Sequence, residues 1–252
     1  MSGHSKWKTI KRKKGAEDAK RGKVFTRLGR DIMIAAREGG GSEEANAKLK
    51  LAVTKARAAN MPKENIERAI KKGTGEIEGN QVEEITYEGY GTDGIAFMID
   101  VMTDNKNRSL AEIKRVFNRA GGSLASAGSV GWQFEQKGQI TLISGKIDFD
   151  EVFMVAAEAG ADDVVDDEGD ITVYTPREKL RAVEQALTDA GYQVDEATLY
   201  WEAQNETELA PDRAVSNMKL AEQLEELDDV QAVASNLLIT EEIAEAYETA
   251  EA

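Results

Sequence analysis

The stretch QITLISGKIDFDEVFMVAAEAGADDVVDDEGDITVYT, residues 139–175, changes its hydrophobic period twice. QITLI alternates as a strand does. FDEVFMVAAEAG then carries helical spacing, with Asp148 placed to cap the first turn and Glu151 as its third helical residue. VVDDEGDITVYT returns to β-branched runs on both sides of a turn at Gly169. Beyond it, Thr175, Pro176 and Glu178 signal a helix start, with Leu180, Val183 and Leu187 as its apolar stripe. YQVDEATLYW supplies a last strand. The order β-α-β-β-α-β over residues 134–204 predicts a ferredoxin-like unit.

The flanking segments complete a second unit only when taken together. VEEITYEGY and GIAFMIDVMT, parted by Gly91 and Gly94, read as two strands. Ser109 and Glu112 have the spacing of a capping box ahead of Leu110, Ile113, Val116 and Phe117, and Gly121 closes that helix. The resulting β-β-α-β piece is one helix and one strand short of a closed core. The tail provides both, through Val215, Met218, Leu220 and Leu224 and then VQAVASNLLI. A discontinuous α/β middle domain, 79–133 plus 205–245, is therefore expected to carry the 134–204 unit as an insertion.

Residues 1–78 read as a helical domain. Phe25, Leu28, Ile32 and Ala36 form one stripe, and Lys20, Lys23, Arg27, Arg30 and Arg37 fall roughly opposite it at ~100° per residue. A second helix is expected to start at Ser42 with the stripe Ala45, Leu49, Ala52, Val53 and Ala56. A third follows Pro62 and ends at Gly73. The expected fold class is thus α+β in three domains: a three-helix N-terminal domain and two α/β domains, at least one ferredoxin-like, the third inserted into the second.

Charge is segregated along this plan. The 252 residues carry a formal −15, yet residues 1–75 hold 20 Lys and Arg against 8 Asp and Glu, and the remainder 12 against 39. A basic end on an acidic body points to a polyanion partner for the former and a solvated surface for the latter. The densest cations are Lys6, Lys8, Lys11, Arg12, Lys13 and Lys14, interleaved with His4 and Trp7. Closely spaced Lys and Arg neutralise phosphates and release counterions. Trp7 suits either stacking on a base or anchoring the arm on the bundle. His4 suits either a phosphate contact or an unstructured end. A second surface is offered by Asn105, Lys106, Asn107, Arg108 and Arg115, beside a helix N-terminus whose free amides favour anions. Local capping by the same residues is the competing account.

Other chemistries are poorly supplied. Cysteine is absent and His4 is the only histidine, so the usual nucleophile–base arrangements lack a base. GTDG and GSVG lack the strand-glycine-helix setting of a phosphate loop and read as tight turns. Around Gly169, an EF-hand register would put Val164 and Thr175 where ligands belong, so that acidic run reads as a solvated turn. No cofactor or metal is expected, and no run approaches the ~18 apolar residues of a membrane span.

Several long motifs, in order, resemble the YebC family. They are GHSKWKTIKRKKGAEDAKRGKVFTRLGRDI (3–32), NMPKENIERAIKKG (60–73), YEGYG (87–91), TDNKNR (103–108), GSVGWQFEQKG (128–138) and LDDVQAVASN (227–236). The resemblance runs from Ser2 to about Ile239, with Thr9 and the segment 202–216 as departures. It implies a helical domain followed by two α/β domains, and a non-enzymatic regulator of gene expression that binds nucleic acid. Members include bacterial proteins described as transcriptional regulators and a mitochondrial translational activator of cytochrome c oxidase subunit one. The first role implies DNA, and the second implies ribosomal RNA and relief of stalling at proline runs. His4 and Trp7 gain weight from their motif positions. Ribosome or protein partners are expected at the acidic domains, or an adaptor role for those domains alone. Since the match begins at Ser2, a bacterial cytoplasmic member without a transit peptide is expected.

Overall fold

The computed structural model describes residues 21–77, 82–143, 148–167 and 169–251. Three helices come first: α1 (Arg21–Gly39), α2 (Ala47–Ala58) and α3 (Lys63–Gly73). They pack as a bundle around Ile32, Ala36, Leu49, Val53, Ala56 and Ile66. The second helix starts later than Ser42 suggested. Residues 43–45 turn first, Ala45 is exposed, and buried Asn46 is the cap. Its Oδ1 accepts from the Leu49 amide at 3.1 Å, while its Nδ2 donates to the carbonyls of Ala35 and Gly40. One side chain thus caps α2 and fastens it to the end of α1, which a serine hydroxyl is too short to do.

Two four-stranded antiparallel sheets follow. The first holds β1 (Glu83–Tyr90), β2 (Ala96–Thr103), β3 (Ser123–Ala125) and β8 (Val230–Ser235), in the order β3-β1-β2-β8. The second holds β4 (Phe134–Leu142), β5 (Asp163–Asp167), β6 (Asp170–Pro176) and β7 (Val194–Ala203), in the order β5-β6-β4-β7. With α5 (Phe149–Ala159) and α6 (Leu180–Asp189), the second is the expected ferredoxin-like βαββαβ unit. It stands in the chain between β3 and α7 (Pro211–Glu225), which returns to the first sheet. Asp148 caps α5 as its spacing implied, with Oδ1 accepting from the amides of Asp150 and Glu151. Thr175 does not start a helix; it is buried in β6, and α6 begins at Leu180. The acidic run forms the β5–β6 hairpin. At its turn Gly169 takes φ +95°, where its amide donates to Asp166 Oδ1.

The first sheet is buried on both faces. Phe97, Ile99 and Val101 of β2 pack with α4 (Lys106–Arg119), α7, and Ile243 and Tyr247 of α8 (Glu241–Glu251). Ala96 and Met98 face the other way, onto Val130, Phe134 and Trp201. Trp201 Nε1 donates to the Asp100 carboxylate at 3.0 Å, joining the two sheets. Burial on both faces explains why AFMI reads as an unbroken apolar run rather than an alternation.

One expectation about a helix fails here, and one helix was not expected. The helix α4 starts at Lys106, not behind a Ser109–Glu112 box: Asn105 is its cap, Ser109 is buried inside it, and Leu110 is 37% exposed. The helix α8 was not foreseen; it follows Ile239 and covers the α7 side of the core with Tyr247, whose hydroxyl donates to Glu222.

Gly89 of β1 lies under the Phe117 ring. A Cβ there would meet Phe117 Cζ at 2.5 Å, and the ring is itself buried edge-on against Phe97. Gly89→Ala is expected to destabilise by about 1–3 kcal/mol through overpacking, measured by urea unfolding.

Candidate nucleic-acid interface and the ion cluster that orients it

The bundle is joined to the first sheet by one buried carboxylate. Asp229 is 2% exposed and lies in the turn between α7 and β8. It accepts from Arg30 of α1, from Arg108 Nη2 at 2.8 Å, from Thr103 Oγ1 at 2.9 Å and from the Ser109 hydroxyl. Arg30 also donates to the Asp228 carbonyl, and Arg27 Nη2 to the Glu225 carbonyl at 2.8 Å. Arg108 is held in turn by Asp104 at 2.9 Å. Three separated segments, GRDI, TDNKNRS and LDDV, therefore meet at a single anion. Burial alone would raise the Asp229 carboxyl, but the donors Ser109, Arg108 and Thr103 and the charge of Arg30 outweigh it and hold it below the usual carboxylate range.

This geometry relocates several expected phosphate ligands. Arg30 is 7% exposed and Arg27 half-buried, so neither stands on an open basic face. Helical spacing did place them opposite the bundle core, but that side of α1 meets the first sheet instead of water. Burial pulls the Arg27 guanidinium down despite Glu225 and Asp31 close by. In the second expected surface, Asn105 caps α4 by accepting from the Arg108 amide, Lys106 pairs with Glu83, and Arg108 belongs to the Asp229 cluster. Capping and pairing thus account for three of the five residues. Asn107 and Arg115 remain exposed.

Lys23 belongs to the first turn of α1. His4, Lys6, Trp7, Lys8, Lys11, Arg12, Lys13, Lys14 and Lys20 lie outside the described residues. On the described bundle, Lys50, Arg68, Lys71 and Lys72 are exposed cations, none of them among the expected nucleic-acid contacts. Lys71 and Lys72 close α3, where positive charge also suits the helix end. Charge count along the chain could have found them, since each lies in the basic segment, but their exposure is a tertiary property.

Two other features escaped the sequence. The GSVG turn wraps Glu88, whose carboxylate accepts from the amides of Gly128 (2.6 Å), Val130 (2.6 Å) and Gly131 (2.9 Å). Burial would raise Glu88, yet these amides hold it below its usual range. This braced turn presents Trp132 at 70% exposure, with its indole N–H on the Ser129 carbonyl. The second feature is Asp31, one residue beyond Arg30. Burial pushes its carboxyl up to about 6, Glu196 adds to this, and Lys55, Arg27 and Arg30 oppose it. It lines a cleft of about 610 Å³ between the bundle and both sheets. Among the described residues, no group of three or more Asp, Glu, His or Cys could hold a metal ion, and no helix is long and apolar enough to cross a membrane.

Fold and cluster together define an α+β protein in which a basic helical module is pinned by a buried ion cluster to the first of two α/β units. The chain belongs to the TACO1/YebC family: the family's N-terminal domain matches residues 5–76, and its second and third domains match residues 82–237. A probable transcriptional regulatory protein of Dehalococcoides mccartyi is 47% identical over 98% of each chain. One of Leptospira biflexa is 50% identical over 96% of this chain and 98% of its own. The crystal structure of a conserved hypothetical protein from Aquifex aeolicus superposes with a TM-score of 0.81 at 43% identity, covering 90% of this chain and 93% of that one.

Removing Arg30 leaves a buried carboxylate with one cation fewer. Arg30→Met is expected to cost about 3–5 kcal/mol in urea unfolding. Because the folded Asp229 value is depressed, its contribution is present above the unfolded carboxylate range and lost as pH falls through the folded value. Arg30→Met should therefore move the onset of acid unfolding to higher pH. Asp31 has the opposite sign. Its raised folded value favours the fold at low pH, and that advantage is lost as pH rises through about 6. Asp31→Asn should stabilise by about 1–2 kcal/mol at pH 7.5 and have little effect at pH 4, read from thermal melts.

Proposed function

We propose that this protein is a non-enzymatic, DNA-binding regulator of transcription whose basic arm and helical module grip the phosphate backbone. The observation that carries this reading is the segregation of charge, 20 basic against 8 acidic residues in 1–75 on a chain of net −15. The relatives named as transcriptional regulatory proteins agree with it. On this reading the backbone contacts come from Lys6, Lys8, Lys11, Arg12, Lys13, Lys14, Lys20 and Lys23, with His4 and Trp7 beside them. Lys50, Arg68, Lys71 and Lys72 extend the basic surface along the bundle. Arg27 and Arg30 act differently: they fix the module's angle on the rest of the molecule, so that phosphate contact at the arm is registered against the α/β units.

The division of labour follows the division of the chain at about residues 78, 133 and 205. The acidic units repel a polyanion and so restrict it to one side of the molecule. They set orientation and supply surface for protein partners in the cytoplasm. Phosphate contacts position a protein without conveying sequence, so target choice rests on other contacts.

Engagement of about six of these basic side chains by duplex phosphates predicts a slope near −5 for log K against log salt. Replacing Lys11–Lys14 with Ala should weaken binding and flatten that slope by about three to four. A salt-independent affinity, or an unchanged slope in the variant, would remove the arm from the mechanism. Crosslinking in cells followed by sequencing of the bound nucleic acid should return promoter DNA; ribosomal RNA in its place would assign the module to translation.

A further inference from the structure

One helix of the acidic body carries charge of the opposite sign. Beyond residue 75 the chain holds 12 Lys and Arg against 39 Asp and Glu, and five of the 12 fall within α4. Other cations of the body are held internally. Lys106 pairs with Glu83, Arg108 with Asp229, Lys137 with Glu202 at 3.1 Å, Arg181 with Glu184 at 3.3 Å and Arg213 with Asp93 at 3.8 Å. Arg177 and Lys179 are open but flank the exposed Glu178. Lys114, Arg115 and Arg119 differ: all three are exposed, and their side chains make no ion pair or hydrogen bond among the described residues. At ~100° per residue, Lys114, Asn107, Asn118, Ala111, Arg115 and Arg119 follow one another around ~140° of the helix surface. All six are exposed. Glu112, the one carboxylate of α4, is half-buried at the border of this face and pairs with none of them.

We propose that this face of α4 is a second phosphate-backbone contact for the DNA held by the arm and bundle, with Lys114, Arg115 and Arg119 neutralising phosphates and Asn107 and Asn118 donating to them. The inference rests on the DNA-binding reading and extends it from the basic module into the acidic body. Helix stability does not explain the pattern. The carbonyl end of a helix favours a cation in its last turn, which covers Arg119 but not Lys114 and Arg115. Arg115 and Arg119, at i and i+4, repel each other, and a bound anion relieves that repulsion. Cations together with amide side chains are the usual donors to phosphate oxygens, and Ala111 in the middle of the face leaves room for close approach. The face also begins where the basic module is fastened. Arg108 and Ser109 hold the start of α4 on Asp229, which Arg30 of α1 also meets. From that point α4 extends about 20 Å, the length of about six base pairs of duplex. The cluster joins bundle and α4 as one body, so a duplex on the first meets the second at raised effective concentration.

Fluorescence anisotropy of a DNA duplex of about 30 base pairs titrated with the full chain, across ~50–200 mM salt, tests the proposal. Three further phosphate contacts steepen the slope of about −5 expected from the arm and bundle alone to about −7 to −8. Lys114→Gln/Arg115→Gln/Arg119→Gln should return it to about −5 and weaken binding at least about tenfold at the low-salt end. Arg177→Gln/Lys179→Gln/Arg181→Gln removes the same charge from exposed positions of the ferredoxin-like unit. Screening of distant charges should keep that variant within about twofold of wild type. Ala111→Glu puts a carboxylate in the middle of the face and leaves every cation in place. It should also weaken binding, which covers the case in which the triple variant folds poorly by circular dichroism. Wild-type slope and affinity in the α4 variants, while replacement of Lys11–Lys14 with Ala still flattens the slope, overturn the α4 contact and leave the arm reading standing. Equal loss in the ferredoxin-like control overturns it as well, because net charge and not this face would then be responsible. A flat salt dependence in every variant and in wild type overturns the DNA-binding reading itself.

Discussion

A buried aspartate holds this molecule in one arrangement. Asp229 is held by donors from two arginines and two hydroxyls that arrive from two other segments of the chain. Taking a carboxylate out of water is costly unless its lone pairs are filled and its charge is countered. Here Arg30 crosses from the helical module to meet it, so the stability of the cluster and the orientation of the module are one property. An apolar contact of similar area would hold the module as firmly but would specify its angle less well. Geometry-bound ionic hydrogen bonds accept only a narrow range of approach.

The cluster also divides the basic charge into two populations. Arg27, Arg30 and Arg108 are committed to partners inside the molecule, whereas Lys50, Arg68, Lys71 and Lys72 face water. A protein that meets a polyanion needs both. The open cations supply attraction that is screened by salt, and the committed ones keep the surface in a fixed relation to the acidic units. Net charge alone conceals this, because −15 is the sum of a positive module and a negative body. The GSVG turn obeys the same logic on a smaller scale. Its amides point at an anion site, but the anion is the protein's own Glu88, so the turn is a brace and not a phosphate cradle.

Much of the fold was legible in the order of residues, wherever a local rule had no competitor. The period change through residues 139–175 announced the ferredoxin-like unit, and Asp148 capped the helix it was placed to cap. The unfinished β-β-α-β piece required a later helix and strand, and α7 and β8 supply them. Local rules misled where two residues of the same chemistry competed. Asn46 was preferred to Ser42 and Asn105 to Ser109 because the side chain that caps must also satisfy a distant group, or be freed from doing so. Ser109 was needed by Asp229, far away in sequence, and so could not be the cap. The helix α8 is acidic and weakly patterned, and only the apolar flank of α7 makes its burial worthwhile.

The sequence by itself determined the segregation of charge, the helical and ferredoxin-like periods, and the family motifs, because each is a property of neighbours along the chain. Tertiary structure alone decided which arginines are open and which are buried, since helical spacing says which way a side chain points but not what stands in front of it. It also decided that Asp229 gathers GRDI, TDNKNRS and LDDV to one point, and that Asp31 and Glu84 line a common cleft. These are relations between residues far apart in sequence, and only the packed chain brings them within the few ångströms over which a hydrogen bond or an unscreened charge acts.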